Sequence, residues 1–494
     1  MLGEEQIRFI FGLKLGQLRR EKNITPAGLA ARCGLSVSYL NEIEKGKKYP
    51  KAEKIMALAA ALNTPYDHLV SLQLGRKMAP VADLLQSGFL DNLSGIFGIE
   101  PARVIDMVSN APAKVGAFIN TLIEIARAYD MNREQFYNAT LRSFQELNDN
   151  HFPGIEEAAL RFADSFEGES FFHFDVLRMK DILEERFGTR VYEDRLDVHP
   201  ELAHFRSFYK PGEHPELWIS SRLSGKQKKF LLAKEIGYHM LNLDLRSRVY
   251  ILEGRTNVES FEQALTNFQA SYFAGALLLP GRELSADLKI LFASKHFERE
   301  AWLHLLKKYE TTPETLMYRL TNLLPAEFGL NSLFFLRFHH EKGDPDFTLS
   351  KELHLSRRHT PHGNDRGEHY CRRWVSLKIF GSIEAGKPAM AIQHSRYVDS
   401  DKEYLLISMA RQLVRSEGSE VSISIGIPLT EEAKKVIRFW NDEEHIPQHT
   451  VNVTCERCPL SDCKERVALP RIYLQEKKNA ELSALLGDLL NVEK

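Results

Sequence analysis

The chain has 494 residues, 43% apolar and 27% charged, which corresponds to about three soluble globular domains and excludes a disordered, collagenous or disulfide-stapled chain. A net charge of −2 excludes a general polycation, so any nucleic-acid contact must come from a local patch. No apolar run approaches the roughly 18 residues of a membrane span, and Glu4 and Glu5 replace the basic start of a secretory signal, so a cytoplasmic location is expected.

The first 75 residues read as a DNA-binding domain. Residues 7–22 carry an apolar helical stripe that ends in Arg19, Arg20 and Lys22, where cations suit the helix dipole. Thr25 caps a second helix with Pro26 at its first position, and Gly34 stops it. Ser36 caps a third helix, separated from the second by Cys33, Gly34 and Leu35. A short turn with glycine between two helices is the mark of a helix-turn-helix, so the third is the recognition helix. Residues 1–70 hold eleven Lys and Arg against seven Asp and Glu. Lys45, Lys47 and Lys48 are therefore expected on phosphates, and Val37, Ser38, Tyr39 and Asn41 on base edges. The stretch Ser38-Tyr39-Leu40-Asn41-Glu42-Ile43-Glu44-Lys45-Gly46 resembles the XRE (Cro/CI-like) family, which implies five helices, completed by residues 52–62 and 65–72. Pro26 is a departure, since many members carry Gln there.

Residues 76–165 read as a helical linker. A short amphipathic helix is expected within 75–98 and a long one over 113–148, with Phe118, Leu122, Ile125, Tyr129 and Phe136 on its apolar side. A connector and a dimerisation element both fit; dimerisation is favoured because helix-turn-helix proteins read paired half-sites.

Residues 166–330 place Lys234-Glu235-Ile236-Gly237-Tyr238-His239 on a helix where zincins have His-Glu-x-x-His. Thirty residues on, the run from Gln269 to Pro280 resembles the helix of ImmA/IrrE metallopeptidases that carries the third zinc ligand. Catalytic zinc needs three protein ligands and an open position for water. Lys234 has no lone pair for a metal and Gln269 offers a neutral amide, so Lys234, Glu235, His239 and Gln269 are read as a vestige, the peptidase as inactive, and Glu235 and His239 as bonded to each other or to Lys234. Arg190, Arg206, Lys210, Trp218 and Tyr272 form a basic and aromatic set suited to a ligand with phosphates at one end and a short apolar tail at the other.

From residue 332 short alternating runs at 333–339, 374–380, 389–394 and 420–427 predict an antiparallel sheet, with helices at 404–414, 430–439 and 479–490. Cys455, Cys458 and Cys463 form a C-x2-C-x4-C loop, and Cys371 is the other cysteine of this half. Four thiolates satisfy either a tetrahedral zinc or a [4Fe-4S] cluster, and spacing does not separate them. The whole predicts a multidomain chain: an all-α helix-turn-helix with a helical linker, then an α+β zincin-like domain and an α+β C-terminal domain at 331–494.

The order of these parts, together with Cys371-Arg372-Arg373-Trp374 and the 455–463 loop, resembles the short-chain fatty acid (acyl-CoA-responsive) transcriptional regulators. The resemblance implies a [4Fe-4S] cluster on Cys371, Cys455, Cys458 and Cys463, a short-chain acyl-CoA effector in the middle domain, and operator DNA as partner of a homodimer or higher oligomer. Arg372 stands where relatives often have Pro. The competing reading is an ImmA-like zinc peptidase that relieves repression by cutting a partner; Lys234 and Gln269 favour the regulator.

Overall fold

A computed structural model describes residues 4–71, 133–166, 169–202, 205–246, 251–252, 255–256, 258, 260–355, 367–384, 386–398, 400–413 and 418–492. The helix expected within 75–98 and the part of the 113–148 helix before residue 133 lie outside these residues. The chain divides into two compact units, 1–138 and 139–494.

The described part of the first unit holds α1 (Glu4–Glu21), α2 (Pro26–Cys33), α3 (Val37–Glu44), α4 (Ala52–Ala61) and α5 (Tyr66–Val70). The boundaries follow from capping chemistry. Thr25 accepts a hydrogen bond from the Gly28 amide, Gly34 takes the left-handed conformation at φ 62°, and Ser36 accepts from the Tyr39 amide. Phe11, Leu15, Leu29, Leu40, Ile43, Leu58 and Leu69 form the core.

In the second unit, α6 (Arg133–Leu147), α7 (Pro153–Asp164) and α8 (Val176–Phe187) lead into a small sheet of β1 (Arg190–Tyr192), β2 (Ser207–Lys210) and β3 (Glu216–Ile219), ordered β1-β3-β2. Helix α9 (Gly225–Met240) is followed by a short hairpin of β4 (Ile251–Leu252) and β5 (Arg255–Thr256), then by α10 (Phe261–Leu278). Helices α9 and α10 touch at Gly237, where an added Cβ would meet the Phe273 ring at 2.9 Å and the Ala270 carbonyl at 3.1 Å. A helix-helix approach this close admits only glycine. Helices α11 (Gly281–Ala293), α12 (Arg299–Lys308) and α13 (Pro313–Phe328) then pack on a six-stranded sheet.

That sheet contains β6 (Phe334–Glu341), β7 (Thr348–His354), β8 (Ala389–Tyr397), β9 (Glu403–Gln412), β10 (Ser419–Pro428) and β11 (Gln448–Val451), in the order β11-β8-β9-β10-β6-β7. All pairs are antiparallel except β11 with β8. Phe335, Leu353, Ile407, Met409 and Ile423 share one core with Leu284, Leu288, Trp302, Leu316 and Leu320 of the three helices. Phe334, Leu336, Phe338, Tyr404 and Leu406 pack on a second core with Cys371, Trp374 and Val375. The apolar core therefore runs across residue 330, and the change in residue pattern there marks a change of element type inside one packed unit.

Two expected elements take the other form. The helix expected at 404–414 is strand β9, whose residues from Tyr404 to Ala410 are buried on both faces; a central strand covered on both sides reads as a continuous apolar run and loses its alternation. The strand expected at 374–380 is a short helix, α14 (Val375–Lys378), continued by a 3-10 turn at Ile379–Ser382. Helix α15 (Glu431–Val436) falls inside the expected 430–439 helix, and α16 (Arg471–Val492) starts eight residues before the expected 479. Strands β7 and β11 were not expected.

Candidate functional site

In the first unit, α3 presents Val37, Ser38 and Asn41 to solvent, with Lys45, Lys47 and Lys48 exposed just beyond it. Tyr39 is half-buried, its ring flanked by the Lys54 ammonium at 4.4 Å and the Lys48 ammonium at 5.7 Å. Lys48 also pairs with Glu42 at 2.9 Å, so its charge is partly engaged within the domain. Arg32 on α2 and Lys54 on α4 are exposed cations that the sequence reading passed over; no local pattern distinguishes them from solvated charges.

The recognition helix is held from beneath. Arg19 grips Glu44 through two hydrogen bonds of 2.5 and 2.8 Å and donates a third to the Ile24 carbonyl. A forked, charge-assisted pair fixes direction as well as distance. Helix α1 comes so close to the end of α3 that a Cβ on Gly12 would stand 2.3 Å from the Ile43 carbonyl oxygen. Lys14 is buried and donates to the His68 and Ser71 carbonyls at the end of α5; burial lowers its pKa.

At the peptidase-like helix, the Lys234 ammonium donates to Asn267 Oδ1 of α10 at 2.5 Å. Burial lowers its pKa to about 8, so at neutral pH it remains a cation. Glu235 accepts from Arg246 at 2.9 and 3.0 Å and lies 3.3 Å from His239 Nε2. That nitrogen also meets the Thr189 hydroxyl at 3.2 Å, and the ring stacks on Phe187 at 4.7 Å. Glu235 and His239 therefore lie within ion-pair distance of each other, while Lys234 turns to Asn267. Gln269 is half-buried two residues beyond Asn267. Asn267 and Arg246 carry the polar closure of this site; neither falls inside the peptidase motif, which is why the motif did not disclose them.

The five residues read as a ligand set divide. Lys210 and Trp218 meet at Glu216, at 3.5 and 2.7 Å, where Arg195 joins them. Arg190 pairs with Glu184 at 3.3 Å. Arg206 is close enough to Lys234 to contribute to the lowering of its pKa. Tyr272 is deep in the core: its hydroxyl donates to Glu156 at 2.6 Å and accepts from the Phe152 amide. Glu156 is in turn held by two hydrogen bonds from the buried Arg319. The open cleft near β3 is lined by Glu193, Asp194, Asp197, Val198 and Ser221, and a carboxylate lining does not suit phosphates.

The four cysteines of the C-terminal region do come together, lining one small cavity with Arg372, Arg373 and Arg466. Backbone pairing brings the two segments side by side. The Cys371 amide donates to the Val453 carbonyl at 3.1 Å, the Cys455 amide to His369 at 2.9 Å, and Tyr370 bridges Thr454. Arg466 ties the 455–463 loop by donating to the carbonyls of Cys455, Cys458 and Leu460. The buried Glu456 accepts from the His369 amide and ring. Burial pushes the Cys371 thiol up to about 11 and raises that of Cys458. Four soft ligands around one cavity, with three guanidinium groups to offset thiolate charge, fit a four-thiolate metal centre.

Comparison with known proteins matches two stretches of the chain. The helix-turn-helix family matches residues 15–69, and the IrrE N-terminal-like domain family matches residues 184–321. Residues 15–69 are thus similar to the helix-turn-helix family, and an IrrE-like stretch follows them in sequence. It is similar to the HTH-type transcriptional regulators RamB and PrpR of Mycobacterium tuberculosis, at 26% identity over 63% of this chain and 24% over 66%. It is also similar to the propionyl-CoA carboxylase regulator of Cereibacter sphaeroides, at 27% identity over 55% of this chain and 57% of that protein. The chain spans 65% of the length of RamB and 66% of PrpR. No helix among the described residues is long and apolar enough to cross a membrane.

Proposed function

We propose that the chain is a DNA-binding transcriptional regulator, acting as a homodimer or higher homo-oligomer on double-stranded operator DNA. The observation that carries the reading is the exposed α3 surface of Val37, Ser38 and Asn41, flanked by Lys45 and Lys47 and fixed from below by Arg19 and Glu44. Side chains at that end of a recognition helix read base edges, and the lysines bind phosphates. The test is binding of the full chain to its own promoter region as salt is varied. Affinity falls steeply with salt, Asn41→Ala relaxes sequence preference, and Lys47→Ala weakens all sequences alike. Binding that ignores salt overturns the reading.

The IrrE-like domain is read as non-catalytic, because the Lys234 ammonium sits where a zinc ligand belongs and Arg246 occupies Glu235. Chelator-sensitive proteolysis by the wild-type chain would refute this. A short-chain acyl-CoA is the proposed effector, supported by family resemblance. Calorimetry with acetyl-, propionyl- and butyryl-CoA tests it, and silence from all three removes it.

Cys371, Cys455, Cys458 and Cys463 are proposed to hold a [4Fe-4S] cluster, which would supply a redox- or oxygen-sensitive element. The chain's own contribution is the loop geometry set by Arg466 and the charge offset of three arginines. Protein purified anaerobically should be brown with absorption that reductant bleaches, and Cys458→Ser should remove the colour while Cys33→Ser keeps it. One zinc per colourless chain would make the centre structural.

A further inference from the structure

The face of the six-stranded sheet that packs on α11 to α13 is apolar along most of its length but changes character at one end. Register places three cations there. Arg337 of β6 pairs with Lys351 of β7 on one side and with Ile423 of β10 on the other, and Arg411 of β9 pairs with Val421, two residues along β10. Ile423 and Val421 belong to the core beneath the helices. Side chains opposite each other in adjacent strands, or two apart in one strand, lie on the same face, so Arg337, Lys351 and Arg411 all point to the helix side.

One carboxylate answers them. Glu314, in the first turn of α13, lies 3.4 Å from Arg337 Nε, and Arg337, Lys351, Arg206 and Arg411 together hold its carboxyl down to about 2 against the effect of burial. Arg337 is 7% exposed and spends one further nitrogen on the Ser350 hydroxyl at 2.6 Å. Its Nε and that of Arg411 are buried without a hydrogen-bond partner. Lys351 keeps access to solvent and rests on the Tyr318 ring at 3.8 Å. Among the described residues these three cations and Arg206 thus face the single carboxylate of Glu314, and Arg411 carries a buried Nε without a hydrogen-bond partner. Buried charge in excess of its counter-charge is costly, and arginine forks match phosphoryl oxygens in spacing and direction.

We infer that Arg337, Lys351 and Arg411 form a binding site for a phosphate-bearing anion, with Glu314 setting their positions. The site is separate from the Lys210 and Trp218 cluster, so it stands whether or not the effector reading does. Inorganic pyrophosphate is the probe, titrated calorimetrically into the full chain at low and moderate salt. Binding should weaken with salt and fall at least tenfold in Arg411→Gln and in Lys351→Gln. Arg411→Lys should recover part of the loss. Glu314→Gln should tighten binding, because it removes a carboxylate that competes with the anion; a purely structural ion-pair network predicts no such gain. Thermal melting identifies any variant that fails to fold, and the solvent-accessible Lys351 keeps the test available if Arg411→Gln does. Displacement of pyrophosphate by propionyl-CoA would assign the phosphate to the coenzyme, and failure to displace it would assign it to a free phosphate or nucleotide. Absence of pyrophosphate binding, or equal affinity in wild type and Arg411→Gln, overturns the inference.

Discussion

Replacing Lys234 by Met tests what a buried ammonium costs the peptidase-like helix. The amine is 7% exposed, and its pKa falls from 10.5 to about 8 through burial, opposed by Glu235. At about 1.4 kcal/mol per pH unit, that gap makes the charged amine destabilising by about 3 kcal/mol at neutral pH. Methionine removes that cost but takes from Asn267 Oδ1 its 2.5 Å donor, a loss of up to about 1 to 3 kcal/mol. The expected outcome at pH 7 is a variant as stable as wild type or more stable by about 1 kcal/mol. The pH dependence is the sharper readout. Because the folded pKa is depressed, the unfolded chain holds more protons between pH 8 and 10.5, so wild-type stability rises with pH across that window. The Met variant lacks this contribution. Urea unfolding followed by tryptophan fluorescence at pH 7, 8, 9 and 10 should show wild type gaining about 2 kcal/mol relative to the variant. Parallel pH profiles would refute the reasoning, since every other titrating group is common to both chains.

Gly12→Ala should destabilise the first unit by about 3 kcal/mol or more and abolish operator binding, because its Cβ would meet a backbone oxygen at 2.3 Å; gel shift and thermal melting check it, and near-normal binding refutes it. Glu156→Gln leaves the fully buried Arg319 guanidinium without its carboxylate, so a loss of about 3 to 5 kcal/mol is expected in chemical unfolding. The double substitution Lys234→His with Gln269→Glu should let the chain take up about one zinc that the wild type does not, as measured by metal analysis after dialysis.

The helix-turn-helix was legible because each boundary is set by a local rule: a hydroxyl cap at Thr25 and Ser36, a left-handed glycine at Gly34. The cysteine cluster was legible because its residues are chemically rare and three are close in sequence. What lay beyond local rules was misread or missed. Strand β9 looked helical because both its faces are covered, by α11 to α13 on one side and by the Cys371 and Trp374 segment on the other. That cover comes from residues far away in the chain, and no window around 404–414 contains it. Arg246, Asn267 and Arg466 escaped notice for the same reason, being ordinary polar residues whose roles exist only once distant carbonyls and carboxylates have been brought to them.

The peptidase-like helix pair is tied together by side chains at the place where a zincin holds its metal. In a zincin the cation at the helix pair neutralises nearby acid and ties two helices through shared ligands. Here each task has passed to a side chain. Lys234 ties α9 to α10 through Asn267, and Arg246 neutralises Glu235 while its guanidinium rests on the Tyr209 ring at 3.8 Å. His239 retains its link to Glu235 and gains Thr189 and Phe187 as further supports. Glu235 thus has a fixed cationic partner, and these polar residues tie the helices together at the place where a zincin holds its metal.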